Sequence, residues 1–215
     1  MTYRPPVAEQ AFVLETVADL PGLAARPRFA AATPDLVAAI LDESGRLAAE
    51  TFAPINRIGD VEGARWSADG VTLPAGFADA YRAYADGGWN GLAADPRWGG
   101  QGLPFTLACA VQEQFAAANM AFSLCPLLGQ GAASAIAAHG SAAQRALYLP
   151  KLISGEWTGT MNLTEPQAGS DVGAVRATAT PAADGSYRIG GTKIYITWGE
   201  HDLAANIVHL VLARL

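Results

Sequence analysis

The sequence predicts an α+β protein, with an all-helical N-terminal domain followed by the start of an antiparallel β-sheet or β-barrel domain. Two observations support this class. As far as Glu156, apolar residues recur at the three- and four-residue steps that are typical of amphipathic helices. After Glu156, short stretches rich in Thr, Val, Ile and Tyr alternate with turns that contain Gly and Asp, a pattern typical of strands. We therefore expect two domains, which cover residues 1–157 and 158–215.

The composition limits the classes of function that the chain can have. Its 215 residues are 51% hydrophobic and 16% charged, which is enough apolar material for one large core or two smaller ones. The formal net charge is -6 and no run of five basic residues occurs, so nucleic acid is an unlikely partner. The first 20 residues lack the cationic start of a signal peptide, and we find no segment with the apolar length of a membrane span. We expect a cytoplasmic protein with no membrane partner.

Helical segments follow one another through the first domain. Residues 7–19 predict a short amphipathic helix that ends at Pro21-Gly22. The next helix has a clear start, because the Thr33 hydroxyl can cap it, Pro34 suits the first position and Asp35 complements the helix dipole. Later helices are expected at residues 77–86, 107–118, 127–138 and 144–153. Two connections are expected, one at residues 59–74 with a turn at Asp69-Gly70 and one at residues 89–104. Five or six helices would then pack together.

Strand-like segments fill the second domain. They are Thr158–Leu163, Ala174–Pro181, Ser186–Ile189, Thr192–Thr197 and Asn206–Ala213. Asp184-Gly185 and Gly190-Gly191 predict two-residue hairpin turns, because Gly and Asp accept the positive φ that such turns need. The apolar strand near the end has no later sequence to cover its far side, so we expect the second domain to be unfinished.

Several residue patterns that resemble sites are better explained by structure. Gly129-Gln130-Gly131 imitates part of a dinucleotide fingerprint, but it lies between two helices rather than after a strand, so we expect close helix packing. Cys109 and Cys125 are too few for a disulfide framework and are expected to be small buried side chains. The three histidines share no metal-ligand spacing, so no metal site is predicted.

The stretch Asn162–Asp171 is the most informative part of the sequence. Thr164 and Ser170 offer hydroxyls, Gly169 lets the backbone approach a ligand closely, and the turn exposes N–H groups that could hold a phosphate oxygen. On the residues alone, an ordinary Gly-Ser-Asp turn explains the stretch better than a binding site does.

The string Thr164-Glu165-Pro166-Gln167-Ala168-Gly169-Ser170-Asp171 closely resembles the signature of the acyl-CoA dehydrogenase family, Thr-Glu-Pro followed by x-Ala-Gly-Ser-Asp. The stretches Trp98–Pro104 and Lys193–Thr197 resemble two further family motifs, in family order. The similarity spans nearly the whole chain. Within the family, the sequence is most similar to the branch that contains methylmercaptopropionyl-CoA dehydrogenase and AidB-like proteins.

The resemblance implies a set of FAD contacts. The backbones of Met161 and Leu163 and the hydroxyl of Thr164 would meet the flavin, while Ser170, next to Gly169, would hold the pyrophosphate. On the flavin's other edge would lie Tyr195, Ile196 and Thr197, with the Thr197 hydroxyl near N5. Tyr195 stands where many relatives carry Trp, and Trp198 replaces a frequent Asn, which changes the expected contacts at this edge.

The resemblance also implies an activity, the α,β-dehydrogenation of an acyl-CoA thioester with hydride transfer to flavin N5. The family's base is usually a Glu of a C-terminal helical domain, which this sequence lacks, so we expect that Glu beyond residue 215 and assign no catalytic residue within the chain. Glu113 and Glu165 are rejected as substitutes. The chain would then be a fragment, or one part of a split enzyme, which binds FAD poorly and has no activity alone. An electron-transfer flavoprotein as acceptor and a homo-oligomeric complete protein are also implied.

Two alternatives remain open on the sequence alone. A flavin oxidase or monooxygenase could share the fold, and oxygen consumption would reveal it. A noncatalytic, AidB-like nucleic-acid-binding protein is the other, and DNA binding with a steep salt dependence would favour it.

Overall fold

The computed structural model describes residues 3–215, which form eight α-helices and six short strands. The helices are α1 (Val7–Thr16), α2 (Leu20–Ala24), α3 (Pro34–Leu47), α4 (Ala53–Glu62), α5 (Phe77–Asp86), α6 (Phe105–Ala118), α7 (Met120–His139) and α8 (Ala142–Ser154). The strands are β1 (Arg65–Ser67), β2 (Gly70–Thr72), β3 (Thr158–Asn162), β4 (Thr178–Pro181), β5 (Tyr187–Gly190) and β6 (Ile207–Val211). The predicted change from helices to strands after Glu156 is confirmed, although the short strands β1 and β2 lie between α4 and α5 in the domain predicted to be all-helical. The exact domain division at residues 157 and 158 stays a prediction.

Polar caps fix where the longer helices begin. The Thr33 hydroxyl accepts a hydrogen bond from the Leu36 N–H at 3.3 Å, as predicted for α3. Asn119 caps α7 by accepting the Phe122 N–H at 3.0 Å, so this helix starts seven residues before the predicted Leu127. A capping box of Ser141 and Gln144 starts α8. Helix α4 is not among the predicted helices, because Pro54 suggests the end of a helix but occupies the first turn of the next one.

The main core lies between α3, α5, α6 and the start of α7. At its centre Phe52 packs against Phe122 and Phe115, with ring centroids 4.6 Å and 5.0 Å apart. Tyr84 and Phe77 complete this aromatic cluster. Such buried rings contribute both apolar area and edge-to-face contacts, so the cluster gives the helical domain a rigid centre.

A second core joins the helices to the strands. Helix α7 packs on α8 and directly on β3, where a Cβ added to Gly159 would lie 2.7 Å from the Cβ of Ala132. Gly129 faces the same strand, with its added Cβ 3.6 Å from the Gly159 nitrogen, so the predicted close packing occurs against a strand rather than a helix. The Gly129-Gln130-Gly131 stretch lies inside α7, not between two helices as predicted. Helix α7 is long and apolar enough to cross a membrane by length and composition, contrary to our sequence prediction. Because α7 packs against β3 and α8, its apolar composition is that of a helix in the core.

The strands pair in twos, and one pairing differs from the predicted antiparallel sheet. β3 and β6 are parallel, with Thr158 opposite Ile207 and Asn162 opposite Val211. The long connection between them lets the chain return in the same direction, which a short hairpin could not do. β4 and β5 are antiparallel as expected, and so are β1 and β2 beside the Asp69-Gly70 turn.

Two predicted turns and one predicted strand are also different. The β4–β5 hairpin has a three-residue loop closed by Ala182 and Ser186, with Gly185 at φ 83, rather than a two-residue turn. Gly190-Gly191 forms no hairpin, and Thr192–Thr197 is irregular. Its composition favours a strand, but contacts with distant parts of the chain hold it in another conformation.

Candidate functional site

The structure brings together the two segments that the sequence resemblance places around a flavin. The carbonyl of Thr164 accepts a hydrogen bond from the Ile194 N–H at 3.0 Å. The Lys193 ammonium donates to the carbonyl of Leu163 at 2.9 Å. The 164–170 turn and the 193–197 segment, distant in sequence, therefore lie side by side where β3 ends.

Glu165 is the anchor of this arrangement. Its carboxylate is buried and lies 2.8 Å from the Lys193 ammonium, and it also accepts the N–H groups of Arg176 at 2.7 Å and Ala177 at 2.9 Å. The Lys193 ammonium, followed by these backbone donors, lowers the pKa of Glu165 to about 2. Glu165 is therefore ionised at neutral pH and is committed to holding the loop, a role that no sequence pattern indicates.

The turn after Glu165 directs its polar residues outwards. The backbones of Glu165 and Ala168 exchange hydrogen bonds of 2.9 Å and 3.0 Å, and the Ala168 side chain is buried. Gly169 and Ser170 follow on the exposed side. A Cβ added at Gly169 would meet no atom within 4 Å, so the space beside this residue is open.

The opposite segment carries strained backbone. Tyr195 has φ 57 and Trp198 has φ 55, which is uncommon for side chains of this size. The Tyr195 side chain is 88% exposed. Such conformations cost energy and cluster at ligand sites, so they mark this segment as a candidate contact surface.

Trp198 fixes the segment to the helical domain. Its indole N–H donates to the carbonyl of Ala121 in α7 at 3.0 Å. Its ring lies 6.5 Å from that of Phe77 and 5.5 Å from that of His201, measured between centroids. Thr197 is thereby held beside a cavity of about 380 Å³ that is lined by residues of α4, α5 and α7.

His201 ties this region to β3. Its Nδ1 accepts the Leu203 N–H at 3.1 Å, and its Nε2 lies 2.9 Å from the Thr158 hydroxyl. The backbone donor leaves the proton of the neutral ring on Nε2, so Nε2–H donates to Thr158. Burial lowers the pKa of His201, and the nearby His209 adds to this effect while Asp202 opposes it. No sequence pattern indicated this contact.

The donor set at this edge fits a flavin nucleotide. Met161 is exposed at the end of β3, and Leu163 and Ile196 are partly buried beside it. The hydroxyls of Thr158 and Thr160 bind histidines, but within residues 3–215 those of Thr164, Ser170 and Thr197 form no side-chain hydrogen bond. Free hydroxyls and an exposed aromatic ring suit a polar ring system and a diphosphate. In the same described range, no group of three His, Cys, Asp or Glu could hold a metal ion.

The chain is similar in sequence to known dehydrogenases. Residues 38–156 match the family of the acyl-CoA dehydrogenase N-terminal domain. The chain is 50% identical to the 3-methylmercaptopropionyl-CoA dehydrogenase of Ruegeria pomeroyi, over 100% of this chain and 36% of that protein. It is 35% identical to a butyryl-CoA dehydrogenase of Syntrophomonas wolfei, over 84% of this chain and 30% of that protein. The chain thus spans about a third of the length of these curated relatives.

Solved structures show the same fold. The structure of an acyl-CoA dehydrogenase from Bacillus anthracis, complexed with FAD, matches with a TM-score of 0.64 and 23% identity. The match covers 78% of this chain and 28% of that one. At this identity the likeness concerns the arrangement of helices and strands alone.

Proposed function

Because this chain belongs to the acyl-CoA dehydrogenase family, we propose that it forms part of the FAD site of an enzyme that dehydrogenates an acyl-CoA thioester between its α and β carbons. Bound FAD would supply the acceptor for the hydride that leaves the β carbon. The supporting observation is the joining of the 164–170 turn to the 193–197 segment through Lys193. Thr164, Ser170 and Thr197, whose hydroxyls are free, belong to these two joined segments.

Each of these residues has a role in the proposal. The Thr164 hydroxyl and the backbone of Met161 would bind the flavin ring, and Ser170 would bind the pyrophosphate. The Leu163 contact would come from its N–H, because its carbonyl already accepts the Lys193 ammonium. Thr197 would donate its hydroxyl to the ring edge near N5, where a hydrogen bond stabilises added charge.

We propose that the base that removes the α-proton lies outside residues 1–215. Glu165 is unsuited to this role, since a carboxylate with a pKa of about 2 is a weak base and is already bound by Lys193. Glu113 is exposed on α6, apart from the segments around β3. Residues 1–215 would therefore bind and orient FAD without completing the reaction.

The substrate would be an acyl-CoA, and an electron-transfer flavoprotein would reoxidise the enzyme. The relative in Ruegeria pomeroyi is named for 3-methylmercaptopropionyl-CoA and the one in Syntrophomonas wolfei for butyryl-CoA. These two thioesters are therefore the first to assay.

FAD titration of the 215-residue chain tests the proposal. We expect weak but measurable quenching of flavin fluorescence, and about fivefold weaker binding in each of Thr164→Val and Thr197→Val, because each change removes one hydrogen bond. Thr72→Val, at the exposed last residue of β2, is the matched control and should bind FAD as the wild type does. Equal affinity in all four proteins, or no binding at about 1 mM FAD, would contradict the proposal.

A second measurement tests where the base lies. The 215-residue chain, saturated with FAD as far as possible, should not reduce an artificial electron acceptor when either thioester is added. Turnover by this chain would show that its own residues supply the base, while leaving the proposed FAD contacts intact.

A further inference from the structure

A second, larger cavity lies away from the proposed FAD site. It has a volume of about 580 Å³ and is enclosed by α6, α7, α8 and the loop of residues 90–98, with residues 28 and 29 at its rim. This volume is in the range of small-molecule pockets, about 300–1,000 Å³. The lining residues are mainly apolar; Phe105 is exposed and Phe29 is partly exposed, whereas Leu92, Leu103, Leu149 and Leu152 are buried. None of the proposed FAD contacts lines this cavity.

The charged residues of the cavity are mostly positive. Arg28, Arg97 and Arg145 line it, with Asp95 as the only acidic residue among the described lining residues. Asp95 is already paired with Arg97, at 2.7 Å. Arg28 lies with its guanidinium 5.2 Å from the centre of the Phe29 ring. An excess of positive charge is unusual in a chain whose formal net charge is -6.

Arg145 is partly buried, and one nitrogen of its guanidinium lacks a partner among the described residues. Its Nε is shielded from solvent and has no hydrogen-bond partner within residues 3–215. The side chain starts from the fourth residue of α8, near the end of the helix where the dipole disfavours a positive charge. An unsatisfied buried donor costs about 1–3 kcal/mol, and more when the group is charged. An anion bound in the cavity would offset the charge of this guanidinium.

The floor of the cavity is held rigidly by hydrogen bonds. Gln130 donates to the Tyr84 hydroxyl at 3.2 Å, and that hydroxyl donates to Asn90 at 3.2 Å. The Asn90 amide in turn donates to the carbonyl of Leu152 in α8. These bonds fix α5, α7 and α8 relative to one another, so a ligand would meet a preformed surface.

We propose that this cavity binds a small organic anion, with its apolar body against Phe29 and Phe105 and its carboxylate against Arg145. The guanidinium suits a carboxylate because it can donate two parallel hydrogen bonds. Arg28 would add a second positive charge from the rim. This proposal depends on no FAD contact and is therefore independent of the proposed function.

The test uses two probes of the same shape, 1-naphthaleneacetate and its neutral amide, titrated calorimetrically into the 215-residue chain. The anion should bind at least tenfold more tightly than the amide, because a charged hydrogen bond to a partly buried arginine is lost in the neutral compound. Arg145→Met, which keeps the apolar stem, should reduce the affinity for the anion about tenfold and leave the affinity for the amide unchanged. Arg145→Lys should restore part of the difference.

Arg188→Met is the matched control, because Arg188 is an exposed arginine on β5, a strand that does not line the cavity. It should bind both probes as the wild type does. Equal binding of the anion and the amide would reduce the cavity to an apolar groove and overturn the proposal. Failure of the anion to bind at about 5 mM, or unchanged affinity in folded Arg145→Met, would also overturn it.

Discussion

The two sides of the proposed FAD site are held by different forces. On one side, the turn from Thr164 to Ser170 is held by charge, because the buried Glu165 carboxylate binds Lys193 and two backbone N–H groups. On the other side, the segment around Thr197 is held by packing, because the Trp198 ring and its N–H attach the segment to the helical domain. On the first side the buried carboxylate has its hydrogen-bond partners, whereas the second side has strained backbone.

This difference shows how the fold can position a polar ligand without filling its site. The Glu165 carboxylate binds Lys193 and two backbone N–H groups of the protein itself. The nearby hydroxyls of Thr164 and Ser170 therefore remain free for a ligand. Trp198 follows Thr197 in the chain and restrains it through its contacts with the helical domain. These contacts offset the cost of the strained backbone at Tyr195 and Trp198. Substitutions that affect one side only should therefore have distinct consequences.

The largest effect is expected from Lys193→Met, which removes the cation from the charged side. Glu165 would remain buried without its main partner, and we expect the melting temperature to fall by about 10 °C. FAD binding should be lost as well, because the 164–170 turn would separate from residue 194. Differential scanning calorimetry and FAD titration measure the two effects.

Lys151→Met provides the matched control for this change. Lys151 also pairs with a glutamate, Glu156, but that pair is at the surface and the glutamate side chain is 54% exposed. Exposed pairs contribute little, so we expect a change of at most about 2 °C. Similar shifts in the two variants would mean that the Glu165 pair is no more important than a surface pair.

A smaller effect is expected from Trp198→Phe on the packed side. The change keeps an aromatic ring but removes the N–H that donates to Ala121, which should cost about 1 kcal/mol of unfolding free energy. Because Thr197 would be less firmly held, FAD binding should also weaken a few-fold. Urea unfolding and FAD titration check both expectations.

Trp66→Phe is the control, since Trp66 on β1 is 78% exposed. It should change neither stability nor FAD affinity. If Trp198→Phe behaves in the same way, the indole hydrogen bond does not position Thr197.

The sequence predicted those features that depend on neighbouring residues. The Thr33 cap, the helix of Phe77, Tyr81 and Tyr84, and the change to strands after Glu156 all follow from local spacing and are confirmed. The motif Thr164–Asp171 ends in the exposed residues Gly169 and Ser170, and its role as a cofactor site stays a prediction. These signals are local, so they can be read without knowledge of the fold.

The features that the sequence did not predict depend on distant contacts. Thr192–Thr197 has the composition of a strand, but the hydrogen bond to Thr164 and the packing of Trp198 hold it as an irregular segment. The parallel pairing of β3 with β6 and the anchoring role of Glu165 likewise join residues far apart in the chain. Nothing in the residues next to Glu165 or Lys193 indicates that these two side chains form an ion pair.

The smallest effect is the dependence of stability on pH. The two sides of the site should lose stability in different pH ranges. The pKa of His201 is lowered by burial, so below about pH 6.5 the unfolded chain binds a proton that the folded chain resists, and stability falls as the pH decreases. Glu165 is different, because its contribution is complete above about pH 4.5 and is lost only as the pH falls toward about 2. Urea unfolding between about pH 7.5 and 5.5 should therefore show a slope in the wild type and in His139→Gln, whose histidine is exposed, but not in His201→Gln. An unchanged slope in His201→Gln would assign the acid sensitivity to another group and leave His201 as a packing residue beneath Trp198.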